Sequence, residues 1–304
     1  MAVLIPEHCE LCPRRCGADR RTQTGRCGAG NTLRAARAAL HRWEEPCISG
    51  EDPERGSGTV FFCGCTLGCV FCQNGVISHG GEGKKITTER LAEVFLALQA
   101  QGAYNINLVT PTQYLPWILE ALNLCRERLA IPVLYNTGGY ERVEILRLLE
   151  GRVQIYLPDL KYYDSALSAR YSAAPDYFAV AAQALREMFR QVGPVRFDEN
   201  GMLTRGTVIR HLMLPGLGGD TSQILRDIAV RWGNRVLVSL MRQYTPFDMG
   251  EYPELDRTIT AEEYETACGE FRELGLGGFF QQDESISESF IPAFDGSGLE
   301  ETEQ

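Results

Sequence analysis

Between residues 58 and 280 the chain alternates two kinds of pattern: short β-prone apolar runs, and longer stretches with apolar residues every three or four positions. The first run, Thr59-Val60-Phe61-Phe62-Cys63, leads directly into a Cys-rich loop. In residues 87–101, Leu91, Val94, Phe95 and Leu98 keep the i, i+3, i+4, i+7 spacing of one buried helical face. Thr87 or Thr88 is placed to cap that helix. Strands are predicted at Asn105 to Val109, Pro132 to Tyr135, Val153 to Leu157, Thr207 to Leu214 and Val236 to Leu240. Helices are predicted over 114–129, 141–150, 176–191, 220–232 and 260–274. Phe178, Ala182, Leu185 and Phe189 share one face of the helix over 176–191, and Tyr264, Ala267, Cys268 and Phe271 one face of the last.

Six β-then-α units of this length predict a parallel sheet with helical crossovers. Six is short of the eight that close a barrel. A doubly wound sheet would carry a glycine-rich nucleotide loop after its first strand, and a Cys loop stands there instead. The fold class expected is therefore α/β, a partial (β/α)6 TIM-like barrel. It is flanked by a Cys-rich and Arg-rich extension over 1–57 and an acidic, polar tail over 281–304, whose apolar knot is Phe290-Ile291-Pro292-Ala293-Phe294.

Composition narrows the setting. A chain of 304 residues with 44% hydrophobic positions can bury a substantial core. No apolar run reaches the roughly 18 residues of a transmembrane helix, and the apolar start is too short for a signal peptide. A cytoplasmic protein is expected, in which eleven Cys remain thiols and clustered Cys read as metal ligands. A net charge of −10 speaks against a nucleic-acid groove.

The chemistry-bearing residues fall into two Cys groups and a set of strand ends. Cys65, Cys69 and Cys72 are spaced C-x3-C-x2-C. Three thiolates on one loop can hold an iron–sulfur cluster with one iron left open to a ligand. Zinc is the alternative, with a fourth ligand from Cys63 or His79. Cys9, Cys12, Cys16 and Cys27 form C-x2-C-x3-C-x10-C, the ligand count of a structural zinc site or of an auxiliary cluster. Arg14, Arg15, Arg20, Arg21 and Arg26 crowd the same segment, as a solvated face or a docking patch for an acidic reductase. Cys63 reads as a core residue of the first strand, and Cys47, Cys125 and Cys268 as buried thiols. In parallel α/β folds ligands bind at the carboxyl ends of the strands. Those ends carry Thr110-Pro111-Thr112-Gln113, Asn136-Thr137-Gly138-Gly139, Pro158-Asp159-Leu160-Lys161, Arg210-His211 and Gln243-Tyr244. Lys161 and Arg210 suit a carboxylate. Asn136 and Thr112 suit ribose hydroxyls, Phe71 and Leu214-Pro215 suit a flat apolar ring, and His211 is placed to line the barrel.

These motifs resemble the radical S-adenosylmethionine (radical SAM) superfamily, in the branch similar to pyruvate formate-lyase activating enzyme. Gly64-Cys65, Cys69, Phe71-Cys72 and Asn74 match that branch's cluster loop, Asp159-Leu160-Lys161 its Asp-Leu-Lys motif, and Arg210 to Gly216 its Arg-x4-Pro-Gly strand. The resemblance implies a [4Fe-4S] cluster on the triplet and SAM on its open iron. It implies Lys161 and Arg210 on the SAM carboxylate, and Asn136, Thr137 and Asp159 around a monovalent cation. The chain departs from the branch where Thr110-Pro111-Thr112 replaces Gly-Gly-Glu and Asn136 replaces an Asp. Cys12-Pro-Arg-Arg-Cys16-Gly, Tyr135-Asn-Thr-Gly-Gly-Tyr140 and Gln243-Tyr-Thr-Pro246 are similar to an uncharacterised subfamily. The implied activity is SAM cleavage for hydrogen abstraction, with a flavodoxin- or ferredoxin-type reductant and either a glycyl radical enzyme, another peptide or a small molecule as substrate. An electron-transfer or binding module is the competing reading, and it has no use for the polar strand ends.

Overall fold

The computed structural model describes residues 3–79, 83–247, 249–281 and 292–300. Strand β1 (Arg34–His41) leads through a short buried helix, α1 (Pro46–Ser49), to β2 (Gly56–Phe62). The loop with Cys65, Cys69 and Cys72 follows and ends in one helical turn, α2 (Gly75–Ser78). Next come β3 (Lys84–Lys85), α3 (Thr88–Ala100), β4 (Ala103–Val109), α4 (Leu115–Leu124), β5 (Val133–Thr137), α5 (Val143–Leu146) and β6 (Ile155–Pro158). The rest is α6 (Ser165–Ser172), α7 (Tyr177–Val192), β7 (Arg196–Phe197), β8 (Leu203–Leu212), α8 (Gly218–Arg231), β9 (Leu237–Met241), α9 (Ala261–Glu273) and β10 (Gly278–Phe280).

One sheet runs β10-β9-β8-β6-β5-β4-β2-β1-β3, with β7 folded back on β8. The strands from β2 to β10 along this path are parallel, and β1 and β3 are antiparallel additions. Neither β10 nor β3 pairs onward among the described residues, so the sheet is open, as the strand count predicts. The six predicted strands are all present, and β10 adds a seventh parallel one. β1 was unforeseen: its sequence, RAARAALH, is made mostly of good helix formers, and pairing along β2 overrides that preference.

The helices follow the apolar pattern with local differences. Thr87 caps α3 by accepting from the Arg90 amide. α9 starts on a reciprocal Thr260–Glu263 capping box. α4 stops at Leu124, five residues before the predicted end, and α5 is one turn continued by a 3-10 turn. α7 is turned by one position from the predicted face: Tyr177, Ala181, Ala184, Leu185 and Met188 are buried, whereas Phe178 and Phe189 are half-buried. Tyr177 draws that face inward, because its hydroxyl donates to the Gly138 and Asp159 carbonyls at 2.9 and 3.0 Å.

Residues 42–50 close the floor of the sheet. β1 runs antiparallel to β2, so its last residue, His41, stands beside Ser57 near the start of β2. The chain then turns under the sheet. Cys47 and Ile48 of α1 pack on Leu134, Ile155, Leu157, Leu203 and Val208, and the Asn105 amide donates to the Ile48 carbonyl at 2.8 Å. Burying a side chain of this size contributes ~1.5–3 kcal/mol. The extension expected over 1–57 is thus continuous with the sheet from Arg34 onward. The end of the chain is also anchored: Gly296 and Ser297 exchange backbone hydrogen bonds with Ala36 and Ala38, Phe294 packs edge-on to Phe61, and Leu299 is buried. Phe290 and Ile291 of the apolar knot lie outside the described residues. Among the described residues no helix is long and apolar enough to cross a membrane.

Candidate active site

Strand pleating places Phe61, Val109, Asn136, Asp159, Arg210, Leu212, Ser239 and Met241 on the inner wall at the carboxyl ends of the strands. They line a cavity of about 340 Å³ together with Cys65, Phe71, Cys72, Asn74, Thr110 and Lys161, near the lower bound of the ~300–1,000 Å³ of small-molecule sites. Cys69 also faces this cavity, so all three thiols of the triplet meet the polar strand ends on one side.

The Cys loop is fixed from several directions. Gly64 (φ 79°) and Gly68 (φ 71°) take the left-handed conformation that glycine tolerates best. The Val70 amide bonds the Tyr171 carbonyl at 2.9 Å. Each sulfur has a hydrogen-bond donor: the Leu67 amide at 3.4 Å from Cys65, the Ser172 hydroxyl at 3.0 Å from Cys69, and the Ser78 hydroxyl at 3.4 Å from Cys72. Burial raises the pKa of all three thiols; Lys161 works in the opposite direction at each. Phe71 packs edge-on against Tyr162 and Tyr244 with centroids 6.2 and 6.3 Å away.

Two ion-paired cations face the same space. Lys161 donates to Asp159 at 2.6 Å. Burial works against its ammonium, yet the Asp159 carboxylate outweighs it, with Cys69 and Tyr177 adding to the same effect, and holds the pKa above the ordinary lysine value. Arg210 forks onto Glu45 at 2.8 and 2.6 Å and also bonds Glu44, which accepts from Asn107 at 2.7 Å. Both glutamates come from the floor segment after β1. Neither was singled out in the sequence.

Several expected residues are placed elsewhere. Thr112 is 2% exposed and does not face the cavity. Its hydroxyl donates to Glu141 at 2.6 Å and accepts from Tyr135 at 3.2 Å, so the hydroxyl expected on a ribose is engaged inside the protein. Thr137 lines the cavity, but its hydroxyl also donates to Glu141. Asn136, Thr137 and Asp159, the trio expected around a monovalent cation, all line the cavity, with the Asp159 carboxylate bonded to Lys161. Leu214 lies behind the wall, in the core with Met213 and Ile224. His211 points outward, not into the sheet, because Arg210 takes the inward position. Its ring bonds the Leu160 carbonyl at 2.8 Å and the Thr221 hydroxyl of α8 at 2.9 Å, and burial pushes its pKa down to about 4. Cys63 is buried among Ala36, Phe61, Ile77 and Val109. Among the described residues no three Cys, His, Asp or Glu side chains converge on a single metal ion. The three thiols of the triplet share one loop and one cavity.

The sequence reading also missed the residues that hold the loop. Arg14 reaches across from the Cys-rich segment and donates to the carbonyls of Thr66 and Leu67 at 3.0 Å each, of Ser172 at 2.7 Å, and of Ala173. Arg20, 1% exposed, donates to the Gln113 carbonyl at 2.5 Å. Gln113 in turn donates to the carbonyls of Cys63 and Gly64 at 3.0 Å and Thr110 at 2.8 Å. Arg14 and Arg20 are therefore internal staples, not members of a solvated or docking face. Among the described residues, the non-glycine residues at positive φ, Arg15, Thr110 and Ala173, all adjoin this stapled region, and backbone strain of this kind persists only where surrounding structure enforces it.

Glu141 is 2% exposed, with one carboxyl oxygen on the two threonine hydroxyls and the other without a partner among the described residues. Burial pushes its pKa up to about 7 from 4.5, against those two hydrogen bonds. Between these values the native state keeps a proton that the unfolded chain releases. The stabilising contribution is full below the unfolded pKa and is lost as pH rises through 7, a loss on the order of 3 kcal/mol at about 1.36 kcal/mol per pKa unit. Glu141→Gln has no such proton to lose. Its stability relative to wild type, measured by denaturant unfolding, is expected to rise between about pH 5 and about pH 8. A difference that stays constant with pH would contradict a protonated Glu141.

Known proteins share this sequence pattern and fold. A sequence model of the Radical SAM superfamily matches residues 59–228, from β2 into α8. An uncharacterized protein of Methanocaldococcus jannaschii is 32% identical over 279 residues, covering 88% of this chain and 75% of that one. Among solved structures, a radical SAM methyltransferase from Sphaerobacter thermophilus has a similar fold, with a TM-score of 0.52 at 17% identity over 76% of this chain and 67% of its own. Streptococcus suis SuiB bound to precursor peptide SuiA has a TM-score of 0.50 at 14% identity over 73% of this chain and 47% of its own. With over half of its length matched by the family model, and its three thiols gathered at the carboxyl ends of an open parallel sheet, the chain belongs to the radical SAM superfamily.

Proposed function

We propose that this protein cleaves SAM reductively at a [4Fe-4S] cluster held by Cys65, Cys69 and Cys72 and uses the product to abstract a hydrogen atom from a partner polypeptide. The observation that carries the reading is the shared cavity: three thiols, Lys161 and Arg210 line one space of SAM-compatible size. When bound, the cluster supplies the electron that splits SAM into methionine and a 5′-deoxyadenosyl radical. The protein's own groups bind and orient. Lys161 offers its ammonium to the SAM carboxylate, and so does the Arg210 Nη1 nitrogen, which neither glutamate uses. Phe71 gives an apolar wall, and Thr110, held at φ 54° on the Asn136 carbonyl, stands where the related branch has Gly-Gly-Glu.

A polypeptide substrate is favoured by the exposed aromatic residues in the lining of the cavity. Between β1 and β10 the lining includes Trp43 and Phe280, which are 63% and 36% exposed. An extended segment, such as the glycine loop of a glycyl radical enzyme, can enter there with its side chains against an apolar rim, and a flavodoxin- or ferredoxin-type protein would supply the electron. The test uses the protein encoded beside this one, deuterated at glycine. Deuterium is expected in 5′-deoxyadenosine after anaerobic reduction with SAM. SAM cleavage with no deuterium transfer from that protein, but with transfer from a deuterated small molecule, would replace the activating role with small-molecule chemistry.

A further inference from the structure

The Cys-rich segment is not accounted for by SAM cleavage, and its construction is unusual. Residues 3–33 contain no helix or strand, yet they follow a tightly determined path. Cys9 and the Gly17-Ala18 pair exchange backbone hydrogen bonds at 3.0 Å, the Arg15 amide returns to the Cys12 carbonyl at 3.0 Å, and Gly25 bonds both Gly28 and Ala29 at 2.9 Å. Arg15 (φ 40°), Gly17 (φ 66°) and Gly28 (φ 79°) make the sharp turns. Cys9, Cys12 and Cys27 are buried, Cys16 is exposed, and the apolar side chains buried between positions 3 and 33 are otherwise only Ala18, Ala29 and Leu33. Cys27, Ala29 and Leu33 pack into the main core, whereas Cys9 and Cys12 are buried within the segment, whose own apolar side chains contribute little.

Two of the four sulfurs meet over one glycine. The Cys16 and Cys27 sulfurs close over Gly25, 3.4 and 3.6 Å from where a Cβ would stand. The backbone amides two residues downstream, of Arg14, Ala18 and Ala29, lie close enough to Cys12, Cys16 and Cys27 to favour their thiolate forms. At Cys65 the amide in the same relative position, that of Leu67, donates to the sulfur at 3.4 Å. Donors aimed at sulfur fit thiolate ligands, whose orientation in metal sites is set by such outer hydrogen bonds. An ordinary core thiol packs as a small hydrophobe and needs none of them.

From this geometry we infer that Cys9, Cys12, Cys16 and Cys27 bind a thiophilic metal centre that clamps the SAM-site loop in place. In neither Cys group do three side chains stand ready around a single ion. Zinc would therefore draw the four sulfurs inward by rotamer change, and an iron–sulfur core would span them. The mechanical link to the other loop is direct. The Cys27 carbonyl lies 2.1 Å from where a Gly64 Cβ would be, so the two segments touch through a glycine at the residue before Cys65. Arg14, two residues after Cys12, holds the Thr66 and Leu67 carbonyls.

The test starts from the full chain carrying Cys65→Ser, Cys69→Ser and Cys72→Ser, which removes the SAM-site ligands. Purified anaerobically, it is expected to hold close to one equivalent of zinc, or iron with sulfide, per chain. The two arms are reconstitution with zinc alone and with iron plus sulfide; retention in one arm names the metal. Adding Cys12→Ala and Cys16→Ala should remove the metal. A folded triple variant that binds neither zinc nor iron with sulfide would overturn the proposal. Cobalt(II) titration of the triple variant gives an independent readout, because thiolate-to-cobalt absorption requires the four sulfurs to meet. The clamp is tested separately: with Cys65, Cys69 and Cys72 intact, Cys12→Ala/Cys16→Ala should lower iron incorporation at the SAM site several-fold, and unchanged incorporation would reject the clamping role while leaving SAM cleavage untouched.

Discussion

Cys69→Ala protein, reconstituted anaerobically with iron and sulfide and then reduced, is expected to release no 5′-deoxyadenosine above background, whereas wild type does. Cys69 is 6% exposed and accepts from the Ser172 hydroxyl at 3.0 Å, with Lys161 close enough to act on its charge. On the proposed assignment, losing this sulfur would remove one of three protein ligands, and with it the cluster and the iron that would meet SAM. Outer-shell partners of metal ligands are typically worth ~10–100-fold. Ser172→Ala should fall in that interval, and Cys69→Ala well beyond it. Cys→Ala deletes one buried atom, so unfolding should stay cooperative and within ~1–3 kcal/mol of wild type. Chromatography of the quenched reaction, read beside a melting curve, separates lost chemistry from lost fold. SAM cleavage by folded Cys69→Ala protein at more than about a hundredth of the wild-type rate would refute the cluster assignment.

The extent to which the site was readable in sequence follows from how each residue acts. Cys65, Cys69 and Cys72 act through a fixed local spacing, and Asp159, Lys161 and Arg210 through their positions at strand ends. The alternation of strand and helix was therefore enough to bring them to one cavity. Arg14, Arg20 and Gln113 act instead through backbone carbonyls up to 159 positions away, and no local pattern marks a side chain that will bond carbonyls. His211 and Thr112 show the opposite error. Both sit at strand ends, but a shift of one position reverses the side of the sheet a residue faces, and Thr112 lies in a 3-10 turn where strand alternation no longer applies. Thr110, forced to positive φ, is the clearest place where local preference gives way to the site around it.

The floor segment was hidden for a related reason: His41-Arg-Trp-Glu-Glu-Pro46 looks like a solvated loop, yet Glu44 and Glu45 are the partners of Arg210. Their side chains are 8% and 5% exposed, against 14% for the arginine. Two carboxylates share one guanidinium there, and Arg210 lowers the Glu44 pKa against the opposing effect of burial, so the glutamate stays ionised. The pair joins the floor to β8 and aims Arg210 at the cavity. Breaking a buried ion pair by removing one partner costs ~3–5 kcal/mol, because the survivor is left charged and desolvated. Arg210→Met leaves two such survivors side by side. It should lose at least that much of a total near 5–15 kcal/mol, and unfold at a markedly lower denaturant midpoint. Glu44→Gln leaves the Glu45 fork intact and removes the surplus charge, so its stability should stay within about 1 kcal/mol of wild type. The triple variant Glu44→Gln/Glu45→Gln/Arg210→Met removes every charge at once and should regain most of the stability lost by Arg210→Met, since a buried ion pair and a neutral replacement are often near balance. SAM binding, followed by calorimetry, should remain weakened in the triple variant, because the Nη1 donor is gone even though the floor is restored. An Arg210→Met protein as stable as wild type would mean that the two glutamates do not share this arginine in the folded protein.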